Sequence, residues 1–569
     1  MKFCLILFFS LGLTLLNGQY QKASLNEESI IQIETLNVDV PKKIEQRSIT
    51  PSQMQGFPKA LPANTTFKNF RNVTLADLNG NGKNEIIVGV NNKLYIFDQE
   101  QLIWEKDLIG VAIYPPSVAD LNKDGIPEIV LATGGTQAGR LYVVDRKGID
   151  LPNFPKNFNN NWILSAPTLS DLDDDGILEI VVCERVSPAG RLQVLRLDGT
   201  SFPNFPITLD RTPAVTPSVA DIDADGKKDI VVASTGSLYA FELNGSLKSG
   251  FPITNPDLRY SYQSPILVDL DEDGQKEIIG AGHGNRPEFY VRKATGDYLA
   301  NWSKSVPNNN WTYTTPTVIT WNGKKITLMS RPIGVDEDEM LYAWDASGEL
   351  LPNFPIVKSG GLEGLITVAD VNDDGKPDLI FGSNLHDASS GKGFIHAYSL
   401  ETATEIEGFP IRPQGWTYMN GATIGDVNGD GLMDLVALSY TQRFGTAPDT
   451  AFLNVYELNV PISSERVWWS TYKGSNTRTG AIEEEAISDV QHQVSENATI
   501  WIFPNPVKDI LQIQHTDSQL FDVAIFNLLG QTMLWAKQTN MLEIQHLPNG
   551  IYFLWLPKYK QTVKFVIHH

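Results

Sequence analysis

Cysteine is nearly missing from this 569-residue chain, which has two, Cys4 and Cys183. Cys4 lies in an N-terminal stretch that reads as a secretory signal: Lys2, an apolar run over residues 3–16, and a cut after Gly18. Removal of residues 1–18 would leave one thiol, so no disulfide can form within the mature chain. That thiol, Cys183, sits in the apolar segment EIVVCE and is expected to be buried and inert. A lipoprotein carries its cysteine after the apolar run, which argues against lipidation at Cys4. The run is too short for a good membrane span, and no transmembrane segment is expected in the mature chain. Basic charge is also scarce: 45 Lys and Arg stand against 67 Asp and Glu, a net −22 that argues against binding a phosphate backbone. The 8 histidines are scattered, and there is no HExxH, no GxSxG elbow and no phosphate-binding glycine loop. No catalytic residue is assigned.

What is abundant is one nine-residue pattern. In its fullest form, DLDDDGILE at 171–179, acidic oxygens stand at positions one, three and five, glycine at six and a carboxylate at nine. Such crowding is repulsive without a cation and suits a hard ion with six to eight oxygen ligands, so the pattern reads as a calcium loop. Its seven copies nominate Asp77, Asn79, Asn81 and Glu85; Asp120, Asn122, Asp124 and Glu128; and Asp171, Asp173, Asp175 and Glu179. They continue with Asp221, Asp223, Asp225 and Asp229; Asp269, Asp271, Asp273 and Glu277; Asp370, Asn372, Asp374 and Asp378; and Asp426, Asn428, Asp430 and Asp434. Up to seven structural calcium ions are implied, and seven would bring the net charge to about −8, an ordinary surface value. Loop one is the weakest, with only Asp77 and Glu85 as carboxylates.

Each loop is flanked by apolar, β-branched segments, which predicts strand, metal turn, strand. Loop starts are 43, 51, 50, 48, 101 and 56 residues apart, so the interval of 101 hides a unit without a loop. In it, Thr320-Trp321-Asn322-Gly323 substitutes an Asn-Gly hairpin turn, where no ion is expected. A third strand such as RLYVVD follows in every unit, then usually a Phe-Pro pair: Phe154-Pro155, Phe205-Pro206, Phe251-Pro252, Phe354-Pro355 and Phe409-Pro410. Proline cannot donate to a sheet ladder, which assigns these segments to outer edges. The fold expected is all-β: a β-propeller of eight four-stranded blades, with seven as the alternative, and then a small β-sandwich. Either Gly56-Phe57-Pro58 or the segment after Val467 supplies the strand that closes the ring.

These repeats resemble the FG-GAP, or VCBS-type, propeller family, whose relatives include integrin α-chain heads. The resemblance spans roughly 56–480 and implies that the aspartate-rich loops bind calcium between the first two strands of a blade. Residues 19–55 read as a polar leader or linker and 481–498 as an acidic linker. Over 499–569, Pro504, Asn505, Pro506, Gly530, Gly550 and Tyr552 fall in motifs that resemble the type A C-terminal sorting domain of the type IX secretion system. That resemblance implies export across the outer membrane of a Gram-negative cell by the type IX machinery, with release or surface attachment.

For a ligand face, the segments leading into the blades offer Trp162, Tyr260, Tyr262, Trp311, Tyr313, Trp416 and Tyr418, flat rings beside asparagines that suit a glycan or protein. Two elaborated loops add His283, Arg286 and His386. The expected function is a calcium-stabilised binding or adhesion module at the cell surface. The alternative is a polysaccharide lyase, since similar eight-bladed calcium propellers occur among lyases; Arg286 with His283 or His386 would then hold the base.

Overall fold

The computed structural model describes residues 19–25, 31–37, 50–135, 139–159, 161–260, 262–309, 312, 314–332, 336–361, 364–417, 419–441, 448–482, 500–503, 507–508, 510–515, 521–527, 532–545, 547–556 and 561–567. The chain divides into two compact units, at Met1–Ile482 and Glu483–His569. The signal segment and most of the acidic linker lie outside the described residues. Within the stretch expected to be a leader, Gln19–Leu25 and Ile31–Asn37 pair as an antiparallel hairpin.

Besides that hairpin, the first unit contains among the described residues eight antiparallel sheets in chain order, one per repeat. Their innermost strands are Thr74–Ala76, Ser117–Ala119, Thr168–Ser170, Ser218–Ala220, Ile266–Val268, Thr317–Trp321, Ile366–Ala369 and Thr423–Gly425. Second strands such as Glu128–Gly134 are buried along their whole length. This explains their unbroken apolar, β-branched composition: both faces pack against neighbouring sheets.

The sheets close into a ring, and a repeated hydrogen bond shows how. Thr74 Oγ1 donates to Pro116 O (2.6 Å), Ser117 Oγ to Pro167 O (2.5 Å), Thr168 Oγ1 to Pro217 O (2.7 Å) and Ser218 Oγ to Pro265 O (2.6 Å). Each hydroxyl reaches from one inner strand to the backbone just before the next. Ser264 N to Thr315 Oγ1 (3.4 Å), Thr317 Oγ1 to Ile366 O (2.8 Å) and Leu365 N to Asn420 O (3.0 Å) continue the series. Thr423 Oγ1 to Val73 O (3.3 Å) joins blade eight back to blade one.

Lys59–Ala63 provides the closing strand, pairing antiparallel with Asp449–Pro461. Ser52–Gln53 pairs further along the same strand, so the propeller begins inside the expected leader. The sequence carried the signal: Gly56-Phe57-Pro58 is the same motif that leads into the outer strands Lys156–Asn157, Ile207–Leu209, Ile253–Thr254 and Ile356–Lys358. The phenylalanines at 57, 154, 205, 251 and 354 are all buried, and each is joined to its proline by a cis bond. These pairs therefore sit at the start of the outer strands, where a missing N–H costs no ladder bond.

Val467–Trp469, the other candidate for closure, instead lies on the inside of blade seven, pairing with Ile366–Ala369. It opens an axial segment that crosses the inner edge of one blade after another. Arg466 O accepts from Asp370 N (2.8 Å) in blade seven and Ser470 O from Ile424 N (3.0 Å) in blade eight. Asn476 donates its Nδ2 to Leu75 O (2.7 Å) in blade one and accepts from Val118 N (3.0 Å) in blade two. Thr477, Thr479 and Gly480 carbonyls then accept from Leu169, Val219 and Leu267 N–H groups at 2.8, 3.1 and 2.8 Å. In all of these blades but the seventh, the partner is the residue two before the metal loop. An innermost strand has an unpaired edge facing the axis, and this segment satisfies it.

Two cations are enclosed with the segment. Arg478 is fully buried and donates to Thr471 Oγ1, Tyr472 O, Ser475 O and Thr74 Oγ1 at 2.7–3.0 Å. Lys473 donates to Pro217 O (2.5 Å) and Ser218 Oγ (2.7 Å). Tyr472 packs with Tyr114, Leu164, Ala214 and Leu365, contributed by the segments that lead into four different blades.

In the second unit, Ile500–Phe503, Ile510–His515 and Met541–Glu543 form one sheet, and Thr532–Thr539, Phe521–Asn527, Gly550–Leu556 and Gln561–Ile567 the other. Alternate residues of both sheets, among them Leu511, Ile513, Val523, Ile525, Leu554 and Phe565, make one core. The unit is the expected sandwich, with one further strand at Ile500–Phe503.

Candidate metal centres

All seven acidic loops share one backbone plan. The aspartate at position one accepts the glycine N–H at position six: Gly82 to Asp77, Gly125 to Asp120, Gly176 to Asp171, Gly226 to Asp221, Gly274 to Asp269, Gly375 to Asp370 and Gly431 to Asp426, all at 2.7–2.9 Å. The carboxylate at position nine reaches back to the N–H at position two, from Leu78 to Glu85 (2.8 Å) through Val427 to Asp434 (2.8 Å). The equivalent bonds in loops two to six are 2.7–3.3 Å. In loops one to six position nine is also the first residue of the second strand, as in the pair Ser170↔Glu179, and in loop seven it is the third. Strand register thus fixes one carboxylate and the glycine, at φ between 78° and 91°, turns the others back toward it.

The carboxylates that result suit a cation. Asp171, Asp173 and Glu179, Asp221, Asp223 and Asp225, and Asp269, Asp271 and Asp273 each bring three ligand oxygens within 4.8 Å of one another. Among the described residues, Asp171 Oδ1, Asp223 Oδ1, Glu277 Oε1 and Asp378 Oδ1 are buried with no hydrogen-bond donor. An unsatisfied buried acceptor costs about 1–3 kcal/mol, and more when charged; Asp223 already has an ammonium group, that of Lys248, 2.6 Å from its other oxygen, so it is the three in loops three, five and six that call for a positive partner. Burial, added to by neighbouring aspartates, pushes Glu179, Glu277 and Asp434 up to about 7 and Asp378 up to about 8. A bound divalent ion would supply charge neutralisation and hold positions one, three, five and nine together.

The loops are not equal. In loops one and two the asparagine at position three turns its amide toward position nine, Asn79 to Glu85 and Asn122 to Glu128 (3.3 Å). Asp77 already accepts four backbone N–H groups, from residues 79 to 82, so loop one is largely satisfied by its own backbone. In loops six and seven Asn372 and Asn428 donate to Asp374 (3.3 Å) and Asp430 (3.1 Å). Arg466 lies 2.7 Å from Asp370 Oδ2 in loop six. Lys293 lies 2.9 and 3.1 Å from Asp271 and Asp273 in loop five, at the solvent side, and Lys248 pairs with Asp223 and Asp229 in loop four. In the sixth unit Thr317–Trp321 and Lys324–Ser330 meet through Asn322 and Gly323, with φ of 51° and 71°. That is the hairpin turn expected where no loop stands.

The ligand-face residues fall into groups. Trp162 is half-buried, edge-on to Phe67 (5.4 Å between centroids) and beneath Arg185 (5.2 Å). Trp416 is half-buried and stacked on His386, centroids 4.4 Å apart at 11°. Tyr262 is partly buried, and its carbonyl accepts from Arg71 Nη2 (2.8 Å). Tyr260 is completely enclosed against Tyr290, so its ring is not offered to a ligand. His283 lies within Glu277–Gly284, paired with Arg259, and not in a loop; burial, with Arg259 nearby, holds it down to about 4. Its neighbour Arg286 projects into solvent, 3.9 Å from Asp257. Trp311, Tyr313 and Tyr418 lie outside the described residues, as do Pro504, Asn505, Pro506 and Gly530 of the sorting motif. Gly550 opens a strand, and Tyr552 donates to Pro548 O (3.0 Å) from the sandwich core. Sequence reading missed the axial segment and Lys248; the latter was legible as a lysine where other repeats have an apolar residue.

Comparison with known proteins agrees with this architecture. A model described as FG-GAP-like repeat matches residues 171–232, 221–280 and 370–437, and one described as secretion system C-terminal sorting domain matches 501–568. Similar solved structures include the Dos1 propeller, 14% identical, covering 74% of this chain and 98% of that one with a TM-score of 0.41. The Vibrio cholerae biofilm matrix protein Bap1 is 14% identical, with 74% and 94% covered and a TM-score of 0.35. PorZ, a surface component of the type IX secretion system of Porphyromonas gingivalis, is 11% identical, with 86% and 69% covered and a TM-score of 0.29. No curated protein matches. The chain is therefore an exported β-propeller protein with FG-GAP-like repeats and a C-terminal secretion sorting domain.

Proposed function

We propose that this protein is a calcium-stabilised binding module that presents the propeller face opposite its metal turns to a glycan or protein at the cell surface. The observation that carries the reading is the stacked pair Trp416 and His386, a flat, partly exposed platform beside a polar loop. That loop is held by Asp387, which accepts from Ser389 Oγ (2.7 Å), Ser390 Oγ (2.7 Å) and Arg412 Nη2 (3.3 Å). A rigid ring beside fixed polar groups suits a sugar face, where stacking and side-chain hydrogen bonds cooperate. Calcium supports the turns at the other end, and the type IX machinery is the export partner. The lyase alternative gains little from His283, which is buried inside a sheet where burial lowers its basicity.

The test is a glycan array probed with residues 50–482 in millimolar calcium. Those bounds keep the Ser52–Gln53 pairing and the bond from Ile482 N to Leu267 O (2.9 Å). Binding is expected and should fall at least tenfold in Trp416→Ala; an array with no signal, together with no captured surface protein, would refute the reading. For export, deletion of 499–569 should retain the propeller inside the cell envelope.

A further inference from the structure

The blades repeat one backbone contact, and in blade four the residue that makes it is a lysine. After the third strand, the residue three before the phenylalanine of the Phe-Pro pair donates its N–H back to that strand: Leu151 to Val143 O, Phe202 to Val194 O, Lys248 to Ala240 O, Leu351 to Ala343 O and Ile406 to Ala397 O, at 2.8–3.0 Å. Four of the five are apolar. The fifth, Lys248, is 7% exposed and directs its ammonium into the adjoining metal loop, 2.6 Å from Asp223 Oδ2 and 3.0 Å from Asp229 Oδ1. Asp223 and Asp229 hold positions three and nine, two of the four that an ion would need. Spacing of Asp221, Asp223 and Asp225 alone admits loop four as a cation site. The lysine changes that conclusion, because its charge already occupies the mouth of the carboxylate cluster and a second cation beside it would be repelled. Both loops keep one buried carboxylate oxygen without a donor, Asp223 Oδ1 and Glu277 Oε1, but Lys293 in loop five differs: it is about one-third exposed and reaches only positions three and five, Asp271 and Asp273, so that the position-nine carboxylate, which Lys248 pairs with in loop four, is left without a cation in loop five.

We infer that Lys248 is a built-in counter-ion that takes the place of calcium in the fourth blade, so that loop four is held closed by the chain's own ammonium group. This rests on the calcium reading of the other loops. It makes blade four a second solution to the problem that blade six solves with a hairpin: a turn independent of external metal.

The experiment counts ions. The full exported chain and its Lys248→Met variant are equilibrated with millimolar calcium, and bound calcium per chain is measured by elemental analysis. The variant is expected to bind one more ion than the wild type, and equal counts would overturn the inference. Crystals of the wild type grown in calcium provide a second measurement should the variant not fold. Ion density in loops three and five with none in loop four supports the lysine, whereas an ion in loop four with Lys248 swung away overturns it. A wild-type count of zero instead sinks the calcium reading itself.

Discussion

Blades five and six are neighbours that pack into one apolar core, where Ile266, Val268 and Ile279 meet Ile326, Leu328 and Met340. Their first turns are nevertheless unlike. Blade five connects its inner strands through a loop with three clustered aspartates and a buried glutamate; blade six uses Asn322 and Gly323. The strands pair in the same antiparallel sense in both, Ile266↔Ile279 and Val318↔Thr327. The metal loop is thus not what makes a blade. Strand composition and packing do that, and the loop adds a cluster of carboxylates able to hold a cation.

The strongest test of this contrast is to remove divalent ions altogether. With extracellular-type affinities, each occupied site adds about 0.4–1.4 kcal/mol near millimolar calcium, so chelation should lower stability by several kcal/mol in total. Thermal melts with and without chelator would show it, and superimposable curves would remove the ionic half of the comparison. Blade six should be indifferent to the ion. Gly323→Ala forces a β-carbon into a left-handed position, at a cost of about 1–2 kcal/mol that is the same in calcium and in chelator. Denaturant titrations in both buffers would measure that equality. Glu277→Gln sharpens the contrast from the blade five side by a change of sign. In calcium it removes a ligand and should cost about 0.4–1.4 kcal/mol. In chelator it relieves a buried carboxylate of its orphaned oxygen, and stability should hold or rise.

Those loops were legible in the sequence because their chemistry is local: nine residues carry both the glycine turn and the oxygens. The outer strands were legible through their Phe-Pro pairs, and Gly56-Phe57-Pro58 belonged to that set. What sequence could not convey was orientation and long-range contact. Tyr260 and Trp416 looked alike as rings in segments leading into blades, yet Tyr260 packs against Tyr290 inside the sheet layers while Trp416 stays half-exposed on His386. His283 looked like a loop residue because glycines flank it, but the strand runs on through Gly284. The axial segment had no periodicity to read. Its bonds go to residues 46 to 404 positions away in seven blades, and most of them use the segment's backbone; particular side chains enter at Arg466, Tyr472, Lys473, Asn476 and Arg478.

That axial segment determines how the propeller bears tension. A pull delivered through Ile482 meets the bonds of Ile482 and Gly480 to Leu267 and then those of Thr479 and Thr477 to Val219 and Leu169, all at inner edges and none at a rim strand. The same force applied at Ser52 would instead load the closing strand, where Ser52–Gln53 and then Lys59–Ala63 pair with Asp449–Pro461.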